Sequence, residues 1–273
     1  MAAMRRRLPN PRRRLPAVAS LSRPAVQLLL TSATLLFVEL LLIRWVPANV
    51  KYIGFFSNFL LMASFLGIGI GILLGRSGLR LPLSPFPPLL LVTTLLVVGA
   101  QLNVHVSGGD NEIFFGLQES TSADVNFVGL PLVVVLVTAL MASLSLPLGP
   151  LLRSMPPLRA YAVDITGSMI GVAAFAIVSF LGTGPTLWFA IVGLSLLAMS
   201  LGVGPTVWSA LGGAAMIGVV WISLTTGAAS HDAWSPYYRV NAFDVDLRPV
   251  STDPQTGDQP KFLSVDGIPT RRC

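Results

Sequence analysis

The chain has 273 residues, a mean hydropathy of +0.74 and only 11% charged residues. A soluble domain carries about 25%, so these charges are too few to cover a water-facing surface, and lipid is expected to be the main solvent. Of the 18 basic residues 16 are Arg, seven of them before residue 25, so the net charge of +6 marks a local cluster rather than a nucleic-acid-binding face, and the lone cysteine, Cys273, excludes a disulfide framework or cysteine metal site within one chain.

Residues 1–24 read as a basic cytoplasmic tail. The apolar run from Ala25 to Val46 is too long for the apolar stretch of a signal peptide and has no small-residue cleavage site. It therefore reads as a first transmembrane helix that stays. The Arg doublets also suggest a twin-arginine export signal, but more hydrophobic spans follow. A helix needs about 20 apolar residues to cross the hydrocarbon core. Runs at 25–46, 52–75, 87–103, 127–149, 160–182, 186–203 and 206–226 meet or approach that length, the third and sixth being the shortest. The predicted fold is an all-α transmembrane helical bundle of about seven spans over 25–226, followed by a short C-terminal β-hairpin.

Lys and Arg in short loops fix orientation. The tail, the link with Arg76 and Arg80, and the link with Arg153 and Arg159 belong on the cytoplasmic side. The 104–126 loop holds Asp110, Glu112, Glu119 and Asp124 with no Lys or Arg, which fits the opposite side.

Glu39 and Arg44 fall inside or at the end of the first span. A charge at the centre of a span costs roughly 2.5–3.5 kcal/mol on insertion scales, so such groups mark a functional interior. Five residues place the two about 140° apart on a helix, so each is expected to seek a partner on another helix. Arg44 has the alternative of snorkelling to the interface beside Trp45. Glu39, near mid-span, is expected to be a buried polar group. Asp164 reads equally as a solvated helix-end carboxylate or an interhelical partner. Ala63, Gly67, Gly71 and Gly75 recur every four residues, with Gly69 between, and Gly167 and Gly171 share that spacing. Such stripes let helices approach closely, within one chain or by self-association. The glycines of GIGIGILLG lie in an apolar span with no preceding strand, which rules out a phosphate loop. His105 and His231 are isolated, and no nucleophile–base motif occurs.

From residue 227 the chain turns polar. YYRVNAFDVDL (237–247) reads as a strand with a phase shift near Ala242–Phe243, DPQTGDQ (253–259) as a turn and KFLSVDG (261–267) as a second strand. Two strands alone are marginal in water, so residues 227–273 are expected to begin a further domain.

Three groups of stretches argue together: LLFVELLLIRWV (35–46) with YIGFFSNFLLMASFLGIGIGILLGR (52–76), RAYAVDITGSMIGVAAFAIVSFLGTGP (159–185), and WSPYYRV (234–240) with LSVDGIP (263–269). The pattern resembles the membrane-embedded spermidine synthase-like proteins of bacteria, in which a multi-span bundle precedes an aminopropyltransferase domain. The resemblance covers essentially the whole chain. It implies a place in the bacterial cytoplasmic (inner) membrane and a link to polyamine biosynthesis. Ser235, Tyr237 and Tyr238 loosely match the family's Ser-x-Tyr-Gln stretch, and Val265, Asp266 and Gly267 match its Leu-Asp-Gly. Arg239 stands near where the family often has Gln. The resemblance thus implies substrate-binding roles for Tyr237, Tyr238, Arg239 and Asp266.

The family's glycine-rich cofactor loop and catalytic acidic residues lie downstream of this stretch. The chain is therefore expected to be a truncated piece without turnover and to hold no cofactor. A decarboxylated S-adenosylmethionine-like donor would be the co-substrate only with the missing domain in place. Seven spans starting inside put the hairpin outside the cytoplasm, which conflicts with a synthase that uses cytosolic metabolites. Two other readings stay open: a transporter or small-molecule-binding bundle built around Glu39, Arg44 and Asp164, and a structural membrane anchor.

Overall fold

The computed structural model describes residues 24–49, 57–76, 85–99, 129–200, 207–229, 232–235, 239–244, 261–265 and 268–270, and these are mostly helical. The helices are α1 (Pro24–Asn49), α2 (Ser57–Arg76), α3 (Phe86–Gly99), α4 (Gly129–Ser145), α5 (Leu148–Arg153), α6 (Pro157–Phe180), α7 (Pro185–Ser200) and α8 (Val207–Ala229). Four stretches are long and apolar enough to cross a membrane: Pro24–Asn49, Asn58–Arg76, Pro131–Arg153 and Pro157–Phe180. Phe86–Val98, Pro185–Ser200 and Ala210–Thr226 are apolar but shorter. The 26 residues of α1 extend about 39 Å, more than the ~30 Å hydrocarbon core.

Proline and glycine set several boundaries. Pro24, Pro157 and Pro185 stand at helix starts, where a missing N–H costs nothing. Leu146 and Pro147 form the turn between α4 and α5. At the end of α6, Gly182 takes φ +68°, and the amides of Gly182 and Thr183 donate to Ser179 O and Val178 O. That pair of bonds is a Schellman stop, which calls for a left-handed residue at the Gly182 position.

Helix α1 runs through the core and packs against α2 to α7. Its buried side chains include Leu28, Leu35, Phe37, Leu41, Leu42 and Val46. Close approaches give the helix directions. A Cβ on Gly167 would lie 2.5 Å from Leu29 O, one on Gly171 would strike the backbone of Ala33, and Phe37 meets Phe175 edge-on. Helices α1 and α6 therefore run parallel. Gly67 faces Thr138 and Met141, Gly71 faces Ala142 and Ser145, and Gly75 faces Leu146, so α2 and α4 are parallel too. Gly212 meets Pro87 and Gly218 meets Leu91, which makes α3 and α8 parallel. Gly193 meets Met216 and Thr186 meets Ser223, which makes α7 and α8 antiparallel.

Glycine stripes on α2 and α6 are thus covered from within the chain, while Gly69 borders open space. Met62, Phe65 and Leu73 on α2 are exposed, as are Leu158, Met169, Ile177 and Phe180 on α6. Apolar side chains on this scale suit lipid rather than water.

Helix α8 continues to Ala229, three residues past the expected end of the apolar domain at 226. After it, β1 (Asp232–Trp234), β2 (Arg239–Asp244), β3 (Lys261–Val265) and β4 (Ile268–Thr270) pair antiparallel in the order β1-β2-β3-β4. The predicted phase shift near Ala242–Phe243 is not in the ladder. Five successive pairs run from Val240↔Val265 to Asp244↔Lys261 with no inserted residue, and a bulge requires one. The predicted turn at 253–259 lies outside the described residues.

Candidate functional site

The ends of α1 and α6, the start of α7 and strand β1 come together at one end of the bundle, and the polar chemistry gathers there. Gly182 and Gly184 let the α6–α7 link pass close beneath β1. A Cβ on Gly182 would sit 3.2 Å from Trp234 O, and Gly184 faces the Trp234 ring. Directly after this link α7 carries Trp188, whose ring is fully buried. Its Nε1 donates to Thr183 Oγ1 at 2.9 Å, and Thr183 Oγ1 donates to Val178 O at 2.7 Å. The α6 stop therefore fixes the indole.

Trp188 is the hub of an edge-to-face chain. Its centroid is 5.3 Å from Phe175 and 5.1 Å from Trp234, while Phe37 continues the chain from Phe175 at 5.4 Å. The Arg44 guanidinium lies over this surface, with Cζ 5.0 Å from the Trp188 centroid and 5.9 Å from that of Trp234. Its Nη2 donates to Ser235 O. A second arginine grips from the other direction: Arg239 Nη1 donates to Ala48 O at 3.2 Å and to Asn49 Oδ1 at 3.0 Å. Asn49 is steadied by its Nδ2, which donates to Trp45 O at 2.7 Å.

Each arginine thus crosses between the bundle and the β segment. Arg44 reaches out from α1, and Arg239 reaches back to the carbonyl end of the same helix, where the helix dipole favours a cation. A desolvated cation–π contact is worth about 2 kcal/mol. The Arg44 head group lies over Trp188 and Trp234 rather than over Trp45. Trp45 packs edge-on against Phe189 instead, at 5.3 Å.

The other polar residues singled out on the apolar helices lie further from this end of the bundle. Asp164 has an interhelical partner: Ser32 Oγ on α1 donates to its Oδ1 at 2.5 Å. Glu39 follows Ser32 by seven residues, on the same face of α1. It is 3% exposed, and its Oε1 has no hydrogen-bond partner among the described residues. Ser64 Oγ on α2 is in the same condition. The interhelical partner expected for Glu39 is thus absent from the described residues.

Tyr237, Tyr238 and Asp266 lie outside the described residues, as do His105 and His231. Arg239 is placed at the junction with α1. Among the described residues no three His, Cys, Asp or Glu side chains cluster as metal ligands would. Sequence reasoning missed Trp188, Thr183 and Ser32. A tryptophan just inside a span after a Gly-Pro turn is an interfacial signal that would have pointed to Trp188.

No family model, characterised protein or solved structure compared with this chain matches it.

Proposed function

We propose that the chain is the membrane bundle of a spermidine synthase-like protein, which anchors a C-terminal β segment at one end of its helices. In this reading all seven apolar helices cross the bacterial cytoplasmic membrane, the N-terminus lies inside, and the strands from β2 to β3 form the hairpin that opens the attached domain. The observation that carries it is the two-arginine junction: Arg44 and Arg239 fasten Ser235 and β2 to the end of α1. A passive tether would need no buried indole, no Schellman stop and no cation shared between two tryptophans. WSPYYRV, the stretch on which the family resemblance leans most, is the stretch that this junction grips.

Hydrogen exchange of the protein in lipid nanodiscs tests the anchor. The amides of 232–235 and of 239 and 240 are expected to be protected, and Arg44→Ala should raise their exchange at least tenfold while α1 and α6 stay unchanged. Equal exchange in the two proteins would remove the anchoring role. The division between bundle and catalytic part has its own assay. Membranes carrying this chain are expected to release no methylthioadenosine from decarboxylated S-adenosylmethionine and a diamine. Measurable release would place a donor site within these residues and overturn the division.

A second reading, a transport or small-molecule-binding bundle, is favoured by one observation: a buried carboxylate oxygen of Glu39 at membrane depth with no partner among the described residues. It predicts uptake of a polyamine or another cation into proteoliposomes and loss of that uptake in Glu39→Gln. No uptake, or uptake at the same rate in the variant, would dispose of it.

A further inference from the structure

From the helix directions and the position of the junction, we infer that the C-terminal β segment is held on the extracytoplasmic face of the membrane and meets ligands from that side. The inference rests on the orientation proposed above, with the N-terminus inside.

One end of the bundle gathers the basic links. Ser32 of α1 meets Asp164 near the start of α6, which places the start of α1 beside the α6 turn that holds Arg159. Gly149 of α5 faces Ile72 and Arg76 at the end of α2, and Arg153 lies one turn further along α5. Arg76, Arg153, Arg159 and the start of α1 therefore share one level, and the seven arginines of the tail precede that start. The bias of short-loop arginines makes this the cytoplasmic end.

The β segment sits at the other end. Ser235 and Arg239 bond to Arg44, Ala48 and Asn49 at the close of α1, and Trp234 packs on the link that leaves α6. Thr186, just inside α7, meets Ser223 near the close of α8, so α8 delivers the chain to this same level. Three separate sets of contacts, from the close of α1, from the α6–α7 link and between α7 and α8, agree on this end. Arg44 and Arg239 also lie here, but both are engaged with backbone carbonyls and, for Arg44, two indoles. They hold the junction and offset little of the bias set by the opposite end.

The chemical consequence is a restriction on ligands. A cytosolic sulfonium nucleoside carries a fixed positive charge and does not cross hydrocarbon unaided. A site built on this segment therefore draws on the extracytoplasmic space or the outer leaflet.

Cys273 supplies the probe, since it is the chain's one thiol. Intact spheroplasts are treated with a membrane-impermeant maleimide, before and after lysis. The native chain is compared with Cys273→Ala chains carrying either Ala2→Cys or Ser107→Cys. The expected result is labelling of Cys273 and Ser107→Cys before lysis and of Ala2→Cys only after it. Labelling of Cys273 only after lysis, with Ser107→Cys still labelled before, would overturn this inference and leave the orientation of the bundle standing. Labelling of Ala2→Cys before lysis, with Cys273 labelled only after it, would overturn the orientation and the inference together. Alkaline phosphatase and green fluorescent protein fused after Cys273 read the same side without needing a reactive thiol. An active phosphatase with a dark fluorescent fusion is expected, and the reverse pattern overturns the inference.

Discussion

Glu39 and Arg44 lie five residues apart on one helix and meet opposite fates. Arg44 is engaged by two indoles and a carbonyl, whereas Glu39 Oε1 is buried with no partner among the described residues. Burying a polar group without a hydrogen bond costs free energy, so an apolar side chain of similar size in the place of Glu39 removes a penalty rather than a bond. Glu39→Leu is thus expected to melt at or above the temperature of the native protein in detergent, and a marked fall would show that the carboxyl is structurally engaged. For Arg44 the conservative change is the informative one. Lys keeps the charge but loses the planar guanidinium that covers the rings. Arg44→Lys should therefore cost about 1–2 kcal/mol, read as faster exchange of the amides of 232–235 and of 239 and 240. The sequence marked Glu39, Arg44 and Asp164 because charge is rare in an apolar run. It could not supply Trp188 or Ser235 as partners of Arg44, which lie 144 and 191 positions further along the chain.

At the level of elements, the small-residue stripes carry the close packing. A Cβ on Gly71 would run into Ser145 and the backbone of Ala142, whereas one on Gly69 meets nothing. Gly71→Ala is expected to lose about 1–3 kcal/mol through overpacking, and Gly69→Ala to stay within about 0.5 kcal/mol or gain slightly. Thermal melts of the two variants side by side decide the matter, and equal effects would count against the close α2–α4 contact. Between α1 and α6 the Ser32–Asp164 bond adds a polar tie. A double-mutant cycle with Ser32→Ala and Asp164→Asn should give a coupling of about 0.6 kcal/mol, with an upper bound near 1.7. Four-residue periodicity made the stripes legible. Which helix covers each one was not, because every span offers a similar apolar surface. The strand differs in the other way: its side-chain pattern suggested a phase shift near Ala242–Phe243, and backbone pairing runs straight through those residues.

For the whole molecule, hydropathy and arginine placement forecast a helical bundle with alternating directions. The close approaches of α1 to α6, α2 to α4 and α3 to α8 are parallel, as that alternation requires. The junction at the far end was beyond reach, since it joins the first span to residues past the last one. The parallel pairing of α1 with α6 also bears on how the protein is made. Synthesis proceeds at roughly 5–20 residues per second, so α1 is complete on the order of ten seconds before the helix that covers its Ser32 and Ala33 exists. During that interval Ser32 lacks its Asp164 partner and the backbone at Leu29 and Ala33 lacks the glycines that pack on it. A chain arrested after Met155 should be degraded quickly in a pulse-chase, while one arrested after Ser200 should persist. The most vulnerable moment in this protein's life is thus the wait of its first helix for its fifth successor.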